Sequence, residues 1–211
     1  MPPKPIQIVR TKLLLVEGED AYRFWIPAYE AFGADIQVLN FGGVSDLTAF
    51  LRQLKLLDRY DEVETLVIAR DAEQDPNAAI SSIKNSLDQA ALPVPAAPFA
   101  FEGAAPRTAY MLHCGHLTDA DGNFQLQPGT LEDLCLSIVA HDAILSCVDD
   151  YIACVTAKGE TITWLHKAKL YSYLSGKSKF VGMKLGEAAR AGAWDWTHQA
   201  FEPYMRIITS M

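Results

Sequence analysis

Three short runs in the first seventy residues are apolar along nearly their whole length: Thr11 to Val16, Ile36 to Phe41 and Val63 to Ala69. Only Glu64 and Thr65 interrupt the third. A strand with one wet face alternates polar and apolar residues, whereas a strand without alternation must be covered on both faces. The intervening segments have the helical period. Tyr22, Trp25, Ile26 and Tyr29 form one stripe between Glu19 and Ala31, closed by Gly33. Pro27 falls inside that stripe and leaves room for a kink or a break there. Ser45-Asp46-Leu47 opens a second helix toward Leu57, and Asp75-Pro76 precedes a third over about 77–90. Fully covered strands alternating with helices predict an α/β fold built on a parallel sheet.

The remaining chain changes character. Leu92 to Pro98 holds three prolines and reads as a connector. Phe99 to Glu102 and Thr108 to His113 read as short strands, and Asp119 to Asn123 as a turn that would place a hairpin within Thr108 to Leu126. From Thr130 onward the pattern is helical, with helices expected over 130–139, 147–157, 162–175, 183–191 and 197–208. The expected organisation is an α/β core over residues 10–128 and a helical C-terminal part over 129–211 packed on it. Trp194, Trp196, Phe201 and Tyr204 are expected to anchor the last helix to the core, and Gly186-Glu187-Ala188-Ala189 to make a close helix contact through small residues.

The longest aliphatic run near the start, Leu13 to Val16, is ended by Glu17 and is too short for a membrane span or a signal-peptide core. A cytoplasmic protein without a membrane partner is expected. Four cysteines, at 114, 135, 147 and 154, include no C-x-x-C pair and read as buried reduced thiols. His113-Cys114-Gly115-His116 is not taken as a zinc site, because a structural site needs four ligands and the nearest other candidates are Cys135 and His141. The formal net charge is −8, yet the segment from Lys158 to Arg190 has seven basic residues against two acids. That surplus is either an anion-facing strip or a solvated pair of lysine-rich helices.

In an open parallel sheet, ligands bind beyond the carboxyl ends of the strands. The first strand delivers Glu17-Gly18-Glu19-Asp20 to that edge, the second Asn40-Phe41-Gly42-Gly43, and the third Arg70-Asp71-Ala72-Glu73. If the third segment stays extended, Asp71 and Glu73 point the same way. Glu17 joins them if the first and third strands are neighbours. Clustered carboxylates repel one another unless a cation or a proton intervenes. Oxygen-only donors favour Mg²⁺ or Mn²⁺, the usual apparatus of phosphodiester chemistry. Glu19 and Asp20 are expected to be ordinary first-turn acids. Gly42-Gly43 is expected to let the backbone approach closely beside the metal site.

A strand ending in Leu15-Val16-Glu17-Gly18 and a later strand ending in Asp71-Ala72-Glu73 together resemble the Toprim domain. That domain is the metal-binding α/β module of topoisomerases, bacterial primases, RecR-type repair proteins and OLD-family nucleases. The resemblance covers roughly residues 10–90 and implies a Toprim-like, Rossmann-like sheet flanked by helices. Topoisomerases need a tyrosine on another large domain, primases a zinc module, and RecR-type proteins a four-cysteine motif. The OLD-type nucleases fit better, being similar in a small-x-Glu motif and a later lysine, here Thr130-Leu131-Glu132 and Lys167. The chain also resembles small stand-alone Toprim-like bacterial proteins of unassigned function. The resemblance implies Mg²⁺ or Mn²⁺ held by Glu17, Asp71, Glu73 and Glu132, with Thr130 and Glu132 as ligands of a second site. Glu17 and Lys167 would carry catalysis; if the basic segment is an anion-facing strip, its Lys169, Lys177 and Lys179 would contact DNA or RNA. The sequence departs from the family at Glu73, where Asp is commoner, and at Ala21, where an acid is usual; Asp20 is the nearest substitute. The implied activity is metal-dependent phosphodiester hydrolysis on nucleic acid. The alternative is a non-catalytic module that binds nucleic acid, a nucleotide or a protein partner, with phage defence as one setting for it.

Overall fold

A computed structural model describes residues 6–114 and 125–211. Its centre is a parallel sheet of four strands, β1 (Lys12–Val16), β2 (Gln37–Asn40), β3 (Thr65–Asp71) and β4 (Arg107–His113), in the order β2-β1-β3-β4. Every pairing is parallel. Leu13 to Val16, Leu66 to Ala69 and Ala109 to Leu112 are fully buried, as unalternating strands require. The register sets Val16 beside Ala69 and Asp71 beside His113.

The connecting helices are α1 (Gly18–Ala31), α2 (Leu47–Leu54) and α3 (Pro76–Gln89). The path leaves β1 for β2 on one side, then crosses back over β1 to β3. Right-handed crossovers therefore put α1 on one face and α2 with α3 on the other, and α2 packs against α3. The reversal falls between β1 and β3, which opens a crevice at their carboxyl ends.

The C-terminal part comprises α4 (Leu131–Ile138), α5 (Ile144–Ala157), α6 (Leu165–Ser175), α7 (Leu185–Arg190) and α8 (Glu202–Thr209). Tyr204 on α8 is buried, and its hydroxyl donates to the Leu112 carbonyl at 2.7 Å. Trp196 and Phe201 pack among Phe24 and Phe32 of the α1 region. These aromatics are anchors, as the sequence suggested.

Three local expectations need correction, and a fourth lies outside the described residues. Pro27 lies inside α1 without ending it, because Phe24, Trp25 and Ala28 are buried around it and hold the helix together. Phe99 to Glu102 forms no strand: Phe99 is left-handed (φ +58°) and the stretch makes only a single antiparallel bridge, Glu102 with Thr108. The expected turn at Asp119 to Asn123, and the hairpin built on it, lie outside the described residues. Cys114 and Cys135 are buried free thiols, but Cys147 and Cys154 are exposed on α5, a surface no spacing argument revealed.

The small-residue contact is real and tight. Helices α1 and α7 pack together, and a Cβ added at Gly186 would stand 2.3 Å from the Arg23 Cβ and 3.1 Å from its carbonyl carbon. Gly186→Ala would gain about 1 kcal/mol of helix propensity. The clash with backbone outweighs this, since overpacking costs about 1–3 kcal/mol and more where backbone must move. The variant should melt several degrees lower by circular dichroism. A melting temperature equal to or above that of the unsubstituted chain would show that α7 is not fixed by this contact.

Candidate functional site

Glu17 leaves β1 as the residue before α1, and Gly18 follows it with φ +79°. The Asn40 side-chain oxygen, at the end of β2, accepts from the Gly18 and Gly42 amides at 3.1 and 2.9 Å. Gly42 is left-handed (φ +90°), and a Cβ there would meet an Asp46 carboxylate oxygen at 2.7 Å. Gly42 thus serves a close approach within its own loop, whereas a Cβ at Gly43 would make only ordinary contact, 3.6 Å from the same oxygen.

At the end of β3, Asp71 Oδ1 accepts two hydrogen bonds, from His113 Nδ1 at 2.8 Å and from the Leu131 amide at 3.0 Å. His113 Nε2 accepts from the Trp25 indole at 3.1 Å. An indole nitrogen only donates, so the ring proton of His113 sits on Nδ1 and points at Asp71. His113 is 1% exposed. Sequence reasoning met this histidine only as a weak zinc candidate and missed its role, because nothing local links positions 25, 71 and 113. It also missed Arg70, whose buried Nε stands 3.6 Å from Glu17 Oε2. That is near enough for attraction and too far for a hydrogen bond, and both atoms lack hydrogen-bond partners.

Glu73 does not continue the strand. It is left-handed (φ +55°) and pinned by two backbone hydrogen bonds of 2.8 Å with Gly129. The extended alternation expected for Asp71 and Glu73 therefore fails, although both reach the same cleft. A left-handed non-glycine residue is strained and persists only when its surroundings hold it there.

The N-terminus of α4 points at β3 through the Leu131 amide. Glu132, in its first turn, is only 5% exposed, and Lys167 Nζ on α6 lies 3.9 Å from its carboxylate. Thr130 is the N-cap: its hydroxyl donates to Asp133 at 3.0 Å, and its own amide donates to the same carboxylate at 2.9 Å. This capping box occupies the side chain that the resemblance placed beside a metal.

A cleft of about 480 Å³ is lined by Glu17, Asp71, Glu73, Thr130, Glu132 and Lys167, with Asp20 and Gly42-Gly43 at its wall. The structure thus brings the four predicted carboxylates and the predicted lysine together. It does not bring them to a point: among the described residues, no three His, Cys, Asp or Glu side chains stand close enough to hold a metal ion as they lie. Glu19, also on the cleft, is paired with Arg23 at 2.7 Å, the ordinary first-turn role expected of it. Lys169, Lys177 and Lys179 do not line the cleft. Lys169 pairs with Asp149 at 2.6 Å and Lys177 with Asp142, whereas Lys179 has no acid partner among the described residues.

Burial pushes the Glu17 carboxyl above its usual range; Arg70 opposes the shift, and Asp71 and Glu73 add to it. Burial also raises Glu132, with Asp71 adding to the shift and Lys167 opposing it.

A family model described as "Protein of unknown function (DUF3226)" matches residues 11–210, so the chain belongs to that family. No curated protein and no solved structure matches it. No helix among the described residues is long and apolar enough to cross a membrane.

The raised carboxyls have a consequence for stability. Glu17 and Glu132 bind protons more tightly folded than unfolded, so the folded state holds more protons just above pH 4.5, their ordinary value. Stability of the metal-free protein therefore falls as pH rises through that window. Glu132→Gln keeps the shape and removes the charge. Its melting temperature should exceed that of the unsubstituted chain at neutral pH and match it in acid, with a flatter slope between. Parallel curves across that range would rule out a desolvated charge at Glu132.

Proposed function

We propose that this member of the DUF3226 family is a Toprim-like, Mg²⁺- or Mn²⁺-dependent phosphodiesterase acting on DNA or RNA in the cytoplasm, in the manner of OLD-type nucleases. The observation that carries the reading is the gathering of carboxylates from β1, β3 and α4 around one cleft at the switch point of the sheet, with Lys167 on its wall.

The donors are all oxygen, which suits a hard divalent ion over zinc. Glu17 Oε2 is buried without a hydrogen bond. Asp71 takes both of its hydrogen bonds on Oδ1, which leaves Oδ2 without a protein partner among the described residues. These two atoms fit an ion, and Glu73 and Glu132 supply the remaining carboxylates. The shell is not preformed, so side chains must turn inward, exposed Glu73 above all. Such an ion polarises a phosphoryl oxygen and makes a bound water more acidic.

The protein's own groups do the positioning. His113 and the Leu131 amide fix the Asp71 carboxylate. Arg70 offsets the Glu17 charge from behind. Lys167, half exposed, offers its ammonium to a phosphate. Lys179 remains the candidate for a nucleic-acid contact outside the cleft, since Lys169 and Lys177 are already paired.

A second reading is a non-catalytic module that binds nucleic acid, a nucleotide or a protein partner through the same cleft. The pairing of Arg70 with Glu17 and the separated carboxylates favour it.

Mg²⁺ or Mn²⁺ should raise the melting temperature by linkage, with about 2.7 kcal/mol of stabilisation at a hundredfold excess over Kd. Asp71→Asn should abolish that rise and all cleavage of a mixed DNA and RNA panel while leaving the metal-free protein folded. A metal response that survives Asp71→Asn refutes the ligand assignment. A metal response without cleavage of any substrate favours the second reading.

A further inference from the structure

Trp164 is unlike the other tryptophans. Trp25 and Trp194 are buried, and Trp196 packs among phenylalanines. Trp164 is 61% exposed and lines the cleft. It is the N-cap of α6, so the same helix start carries His166 and Lys167 to the cleft wall. Lys167 Nζ lies 5.8 Å from the indole centroid, and the His166 ring meets the indole edge-on at 6.1 Å. With the ammonium at that distance the indole still keeps most of its surface in water.

We infer, resting on the phosphodiester reading above, that Trp164 is a stacking platform for an unpaired nucleobase, which makes single-stranded nucleic acid the substrate class. A nucleotide joins a flat π-face to a phosphate a short distance away. The cleft offers the complement: an open indole, and beside it a cation that faces Glu132 at 3.9 Å. Its volume of about 480 Å³ falls within the roughly 300–1,000 Å³ of ordinary ligand sites. A base inside a duplex has both faces covered by its neighbours, so an indole platform selects a base that is unpaired or at an end. Stacking of this kind tolerates any sequence, because every base has a π-face. Trp194, Trp196, Phe201 and Tyr204, the aromatics weighed for stacking from sequence, are all engaged in the core.

The test compares binding of an oligothymidine with binding of an abasic phosphodiester chain of equal length, with Ca²⁺ replacing Mg²⁺ to limit cleavage, read by calorimetry. The protein should prefer the oligothymidine by about 5- to 150-fold, the range that one stacked base supplies. Trp164→Ala should remove that preference while leaving the abasic affinity unchanged, and Trp164→Phe should keep most of it. Trp164→Leu, which retains apolar bulk without a π-face, should behave like the alanine variant, and the Leu and Phe pair carries the test if Trp164→Ala does not fold. Lys167→Ala should weaken both probes alike. Equal binding of the two probes, or a preference that survives Trp164→Ala and Trp164→Leu, overturns the platform and leaves the phosphodiester reading standing. No binding of either probe also overturns the platform, and cleavage of the mixed DNA and RNA panel then decides the phosphodiester reading separately.

Discussion

The Asp71 carboxylate is the tie on which the arrangement depends. One oxygen accepts from His113 on β4 and from the first amide of α4, and His113 accepts in turn from Trp25 on α1. Four elements meet through a chain of three hydrogen bonds, buried at Trp25 and His113 and opening on the cleft at Asp71. A buried polar chain of this kind is stable only when every member has its partner. It also fixes an orientation: with the indole donating to Nε2, the imidazole can present only an N–H to Asp71. The position of α4, and hence of Glu132, follows from that carboxylate.

The opposite side of the cleft is less fully satisfied. Glu17 is drawn toward Arg70 without a hydrogen bond, and Glu132 toward Lys167 at a similar separation. Both carboxyls are pushed up by burial, and Asp71 raises each further. The cleft thus gathers Glu17 and Glu132, each held only at ion-pair distance from a cation, beside a strained Glu73. The imbalance is one of negative charge at the cleft. Lys167 and Arg70 limit it from two sides, and the indole of Trp164 adds an apolar face at one wall.

The local patterns were legible. Unalternating apolar runs located β1, β2 and β3, helical stripes located the helices, and charge after each strand marked the edge where the cleft lies. Composition also distinguished an anchoring role for Tyr204 and a close contact at Gly186. What sequence reasoning lacked was the partner of each residue. His113 reads as an isolated histidine until β4 is set beside β3. Lys169 and Lys177 read as free cations until α5 and the residues before it bring Asp149 and Asp142 to them. Trp164 carries no sign of its exposure.

By itself, the sequence determined the element types and the chemistry leaving each strand, because hydrophobic period and turn chemistry are properties of neighbours along the chain. The tertiary structure alone decided the strand order that places Glu17 next to Arg70, the left-handed turn that redirects Glu73, and the docking of α4 on Asp71. Those outcomes rest on contacts between residues more than fifty positions apart, whose geometry is set by packing and hydrogen bonding across the fold and leaves no periodic trace in the chain.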